Sequence, residues 1–135
     1  MNTHRDIAAT VAEARDATDG FMAAFNALDR EAMQTRWRHF PHVCFHSGRV
    51  TVMETSADFA ASIWERKGEA EGWARTVWDY VELIDAELNK VHFRVQFTRF
   101  RDDGSSMGSY KSLHIVTLQN GRWGVQGRSS WADKG

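Results

Sequence analysis

Three runs decide the fold of this chain: VHFRVQFTRF (residues 91–100), YKSLHIVTL (110–118) and RWGVQGRSSW (122–131). Each is rich in β-branched and aromatic residues. DDGSSMGS separates the first pair and Gln119-Asn120-Gly121-Arg122 the second. Asn-Gly between two such runs predicts a two-residue hairpin, because both central residues of a type I′ turn need positive φ. Counting back from that turn, Gln119 faces Arg122, Leu118 faces Trp123, Val116 faces Val125, His114 faces Gly127, Leu113 faces Arg128 and Tyr110 faces Trp131. Side chains alternate along a strand. One face therefore carries Tyr110, His114, Val116, Leu118, Trp123 and Val125, and the other Lys111, Leu113, Ile115 and Arg128. A glycine opposite His114 leaves room beside the imidazole, which reads as a pocket wall. On this register Arg128 points away from it, to the surface or a subunit interface.

Upstream, Val91, Phe93, Val95 and Phe97 alternate with polar residues, and TVWDYVELI (76–84) reads as another strand. Before these strands the period changes. Ile7, Val11, Ala14, Thr18, Phe21, Phe25 and Leu28 recur at steps of three and four, one face of a long helix from about Asp6 to Leu28. Gly20 inside it gives a neighbouring sheet room to approach. Asp29 can cap a second short helix carrying Met33, Trp37 and Phe40 on one face, ended by Pro41. His42 to His46 reads as a short strand closed by Ser47-Gly48. Thr55 or Ser56 can cap a third helix with Phe59, Ile63 and Trp64 inward, stopped at Gly68. Helices segregated before a mostly antiparallel sheet make the class α+β. Strands of about ten residues twist strongly and can curl around the first helix.

With 135 residues the chain reads as one domain, 1–135, large enough for a core. A net charge of −1 gives no electrostatic footprint for nucleic acid or an acidic membrane. The single cysteine, Cys44, leaves no internal disulfide and points to a reducing, cytoplasmic compartment. There is no secretory leader pattern and no run long enough to span a membrane. Six tryptophans and eight phenylalanines point to an aromatic-rich interior or cavity.

The element order, with FMAAFNALDREAM (21–33), HFPHVCFHSG (39–48) and GRWGVQGRSS (121–130), resembles the nuclear transport factor 2-like superfamily. That superfamily includes SnoaL-type cyclases and ketosteroid isomerases. The resemblance implies a cone, the cystatin-like arrangement of a curled sheet holding the long helix. It also implies a pocket lined by that helix, the short strand and the concave sheet face, and homodimers formed through the outer face. Where isomerases carry a tyrosine acid in the first helix, this chain has Phe21. Where they carry an aspartate base, the match gives Phe45, with His46 next. An isomerase needs a base and donors for the dienolate oxygen, so these departures argue against steroid isomerisation.

His46 and His114 are the candidate base and donor, because histidine titrates near neutral pH. The plainer reading of each is a satisfied or exposed polar residue. Asp79, between Trp78 and Tyr80, is a candidate acid or base if burial raises its pKa, and an ordinary exposed carboxylate if not. Phe21, Tyr110 and Trp123 are the candidate ligand contacts. His39, His42 and His46 invite a metal reading, but His42 and His46 on one strand lie about 13 Å apart, beyond shared ligation at about 2.1 Å each. No metal or cofactor is expected. Gly104-Ser105-Ser106-Met107-Gly108 matches the nucleophile-elbow pattern only on paper, because a strand rather than a helix follows it. Two functions remain open: a pocket protein for a small apolar molecule bearing a carbonyl or hydroxyl, with acid–base chemistry as an extension, and a non-catalytic dimerisation or partner-binding domain whose cone is filled.

Overall fold

The computed structural model describes residues 6–58 and 72–131. Helix α1 (Ile7–Asn26) starts where Asp6 accepts a hydrogen bond from the Ala8 N–H at 2.9 Å. Its buried face is Thr10, Ala14, Ala17, Thr18, Phe21 and Ala24, small residues apart from Phe21 rather than the larger apolar stripe. Ile7 and Leu28, expected inside, are 43% and 40% exposed. Small side chains let the sheet come close, and the bulk on the sheet side fills the gap. At Gly20 it is the Trp37 ring, not the sheet, that stands where a Cβ would be.

Helix α2 (Arg30–Thr35) is capped by Asp29, which accepts from the Ala32 N–H at 3.1 Å. Met33 is buried as expected. The helix stops earlier than its apolar spacing predicts. Trp37 and Phe40 lie outside it, and strand β1 (Arg38–His46) has already begun. Pro41 therefore sits within a strand. It lies where the pairing of β1 with its neighbour shifts between Arg38 and Val43, the irregular place in a sheet that tolerates a missing donor. Ser47-Gly48 leads into β2 (Arg49–Met53), a strand the sequence reading did not separate. The third helix falls on residues 59–71, outside the described residues, apart from a 3-10 turn at Ser56–Asp58.

The remaining strands are β3 (Trp73–Glu87), β4 (Lys90–Arg101), β5 (Ser106–Gln119) and β6 (Arg122–Trp131). The sheet order is β2-β1-β6-β5-β4-β3. Among the described residues only β1 and β6 run parallel, and every other pair is antiparallel. The sheet curls without closing, and its concave face holds α1. Val91, Phe93, Val95, Val116, Trp123 and Val125 pack there against Ala14, Ala17, Phe21 and Met33. Reciprocal bonds between the Asn26 amide and the Thr76 backbone, 2.7 and 2.8 Å, pin the end of α1 to β3. No helix among the described residues is long and apolar enough to cross a membrane.

Candidate functional site

The site is made by one extra residue. Asn120 (φ 54°) and Gly121 (φ 73°) form the expected turn, and Gln119, Leu118 and Val116 pair with Arg122, Trp123 and Val125 as counted. Then the register shifts. Ile115, not His114, pairs with Gly127, and His114 pairs with Arg128. Gln126 is a β-bulge. A slip of one residue sends every later side chain to the opposite face. Gly127 therefore faces Ile115, whose side chain would stand 3.3 Å from a Cβ at that position, and the space expected beside His114 is taken by an arginine. The expectation that Arg128 points away from His114 is corrected: both stand on the concave face.

From there a row of side chains crosses four strands: Cys44 on β1, Arg128 on β6, His114 on β5 and Phe93 on β4. Helix α1 lays Phe21 over the row. Its ring meets His114 edge-on at 6.1 Å, with the guanidinium of Arg38 at 5.2 Å and that of Arg128 at 6.0 Å from its centroid. Arg128 Nε donates to His42 Nε2 at 3.3 Å. An arginine can only donate, so Nε2 is the acceptor and His42 carries its proton on Nδ1, which donates to the Val125 carbonyl at 3.1 Å. Arg128 Nη2 donates to Cys44 Sγ at 3.3 Å.

Burial first, then the positive charges of Arg128 and Arg38, push His42 down to about 2 and His114 down to about 3. Burial, then Arg128, brings Arg38 down to about 9, so it stays charged at neutral pH. The site is thus a pair of guanidinium ions beside two neutral imidazoles.

Beside the row lies a cavity of about 50 Å³. Phe21, Phe25, Trp78 and Phe97 wall it; His114, Arg128 and Thr76 give it polar points. Trp78 meets His114 edge-on at 5.6 Å. Two buried polar atoms of the wall, His114 Nδ1 and Trp78 Nε1, have no hydrogen-bond partner among the described residues. Buried polar groups are nearly always paired, so such atoms mark where a ligand or water would bond. A wider depression of about 420 Å³ lies at the turn end, against Glu13, Arg36, Trp37 and Trp123. There Trp123 Nε1 donates to Glu13 at 3.1 Å and Arg122 to the carbonyls of Arg36 and Arg38. With Trp123 and Arg122 already bonded to protein groups, that depression is a weaker candidate than the smaller cavity.

The predicted site residues separate accordingly. His114 and Phe21 meet in the cavity. Tyr110 stacks on Phe97 at 5.5 Å, further along the concave face, and Trp131 pairs with Lys111 instead. Trp123 is buried near the Asn120-Gly121 turn and does not line the cavity. His46 is exposed at the end of β1, where its Nδ1 lies 3.3 Å from Ser47 Oγ; it does not share a cavity with His114. Asp79 is the extra residue of a bulge in β3, exposed on the outer face, accepting bonds from Thr98 at 2.7 Å and Gln96 at 3.0 Å. Sequence reasoning missed Arg38, His42 and Trp78. His42 carried a signal: with Cys44 it shares one face of a strand, two residues apart.

A family model described as NTF2-like protein (DUF6841) matches residues 12–129. Among solved structures, an NTF2-like protein with a cystatin-like fold from Novosphingobium aromaticivorans is similar with a TM-score of 0.73 at 17% identity, over 93% of this chain and 83% of that one. A ketosteroid isomerase-like protein from Erwinia carotovora atroseptica gives 0.65 at 16%, over 89% and 93%. A protein from Catenulispora acidiphila, solved in complex with S-DNPA, gives 0.69 at 16%, over 92% and 93%. At these identities the likeness is one of fold. No curated protein matches the chain.

Proposed function

The chain belongs to the NTF2-like family DUF6841, and on that premise we propose that it is a small-molecule pocket protein of the SnoaL and ketosteroid-isomerase-like kind. Its ligand lays an apolar, flat part against Phe21, Phe25, Trp78 and Phe97 and sets a polar atom against His114. The observation that carries this reading is the fully buried His114 Nδ1 on the cavity wall, with no partner among the described residues. The Catenulispora neighbour, solved in complex with S-DNPA, lends support as a protein of this fold holding a ligand.

The cavity limits the ligand. At about 50 Å³ it takes a group of a few heavy atoms, whereas pockets that swallow a drug-sized molecule hold roughly 300–1,000 Å³. A steroid does not fit this description. The chemistry agrees: Phe21 has no hydroxyl, and a neutral His114 flanked by guanidinium ions is a poor base but a good hydrogen-bond partner for an oxygen. Any turnover would therefore rest on stabilising negative charge rather than on proton abstraction.

The second reading, a filled cone serving as a dimerisation or partner-binding domain, is favoured by the same small volume and by the outer face. Phe45, Val50, Val52 and Trp131 are about half exposed there, on adjacent strands. A homodimer through that face is compatible with either reading, and the lone Cys44 goes with a reducing, cytoplasmic setting.

A thermal-shift screen of wild type and His114→Ala against carbonyl, hydroxyl and carboxylic-acid compounds separates the two. A compound at a hundredfold its Kd stabilises the wild type by about 2.7 kcal/mol. A shift lost in the variant supports the pocket; no shift with any class, in a protein that melts cooperatively, supports the filled cone.

A further inference from the structure

We propose that the polar group this cavity recognises is a carboxylate, seated between Arg128 and His114 on an aromatic or short apolar acid. The inference rests on the pocket reading and names its ligand class. Its basis is the donor set of the wall. Arg128 has five N–H donors and no acceptor, and the indole of Trp78 is a donor only. His114, whose Nδ1 has no hydrogen-bond partner among the described residues, can turn an N–H to the cavity. No carboxylate lines the cavity among the described residues. A wall of donors selects an acceptor-rich group and rejects an amine.

Charge points the same way. The Arg128 guanidinium uses Nε on the neutral His42 imidazole and Nη2 on the Cys44 sulfur, and has no carboxylate partner among the described residues. A half-buried cation without a carboxylate partner costs free energy that an incoming anion returns. The planar guanidinium also matches a carboxylate better than it matches a carbonyl. Shape supplies the rest: the rings of Phe21, Trp78 and Phe97 bound a narrow space, suited to a flat acid whose body reaches towards the mouth.

The test is calorimetric titration of the full chain with benzoate, benzamide, phenyl phosphate and inorganic phosphate. Benzoate is expected to bind at least about tenfold more tightly than benzamide, a difference of about 1.4 kcal/mol. Arg128→Lys, which keeps the charge and loses the fork, is expected to weaken benzoate by about tenfold or more and benzamide by less. Trp78→Phe, which keeps the ring and removes the N–H, is expected to weaken benzoate a few-fold, and the melting temperature of each variant reports that it is folded. Benzamide binding as well as benzoate, or Arg128→Lys binding like wild type, would overturn the carboxylate and leave the pocket standing. Tighter binding of phenyl phosphate or inorganic phosphate would also overturn it, in favour of a phosphate site. If none of the four binds, and the thermal-shift screen finds no neutral ligand either, the pocket reading fails with it.

Discussion

Between the Asn120-Gly121 turn and the Val116–Val125 pair, the β5–β6 hairpin follows the alternation of its sequence; beyond Gln126 it runs one residue out of step. The first half is core. Val116 and Val125 are fully buried, and Trp123 is 8% exposed against α1. The second half is a site, with His114 and Arg128 side by side under Phe21. The difference shows how one strand pair can serve both ends of the cone. A regular ladder would have sent Arg128 outwards and put the small Gly127 against His114. The bulge trades a continuous apolar face for a cation inside.

The largest effect should come from the core half. Trp123→Ala is expected to cost about 3–5 kcal/mol, read as a drop in the urea midpoint; a loss below about 1 kcal/mol would mean the turn half is not core. Next comes pH. The unfolded chain takes up protons on its histidines below about 6.5, while the folded chain holds His114 and His42 neutral down to about 3 and about 2. The unfolded state binds more protons across that window, so stability falls as pH falls from about 6.5 towards 3, by about 1.4 kcal/mol per pH unit for each histidine. His114→Gln should remove one such contribution from the slope. Identical pH profiles for the two proteins would contradict the buried, neutral imidazole.

A smaller effect belongs to the bulge residue itself. The Gln126 Oε1 accepts from Thr117 at 2.7 Å and from Gln119 at 2.5 Å, and its Nε2 donates to the Pro41 carbonyl at 3.1 Å. Gln126→Ala should cost about 1–2 kcal/mol while leaving any ligand-induced thermal shift intact, because the backbone count is unchanged. Deleting the residue should abolish that shift, since Arg128 would then point outwards. Smallest of all, His46→Ala should stay within about 0.5 kcal/mol of wild type and leave ligand binding untouched, in contrast to His114→Ala.

Much of the fold is written in local patterns. The Asn120-Gly121 turn, the alternation from Val91 to Phe97 and the Asp29 cap each act within a few residues, and each appears where its pattern puts it. The site is less legible because it depends on the interruption of a pattern. Nothing in RWGVQGRSSW marks Gln126 as the residue to be skipped. Its bonds reach Thr117, Gln119 and Pro41, partners known only once three strands are together. The start of β1 was lost for a similar reason. Trp37 and Phe40 continue a helical spacing, but the Val125 N–H bonds the Trp37 carbonyl at 2.8 Å, and sheet pairing overrides the local preference. His46 looked like the functional histidine because it ends the strand that the family resemblance emphasised; His42 is the one turned inwards.

The one-residue shift is the central claim, and cross-strand NMR contacts test it most directly. In an isotope-labelled sample, nuclear Overhauser effects between backbone protons of β5 and β6 should join His114 to Arg128 and Ile115 to Gly127, with Phe21 ring protons close to the Arg128 side chain. Contacts that join His114 to Gly127 and Leu113 to Arg128 would contradict it, return Arg128 to the outer face and remove the cation on which the site is built.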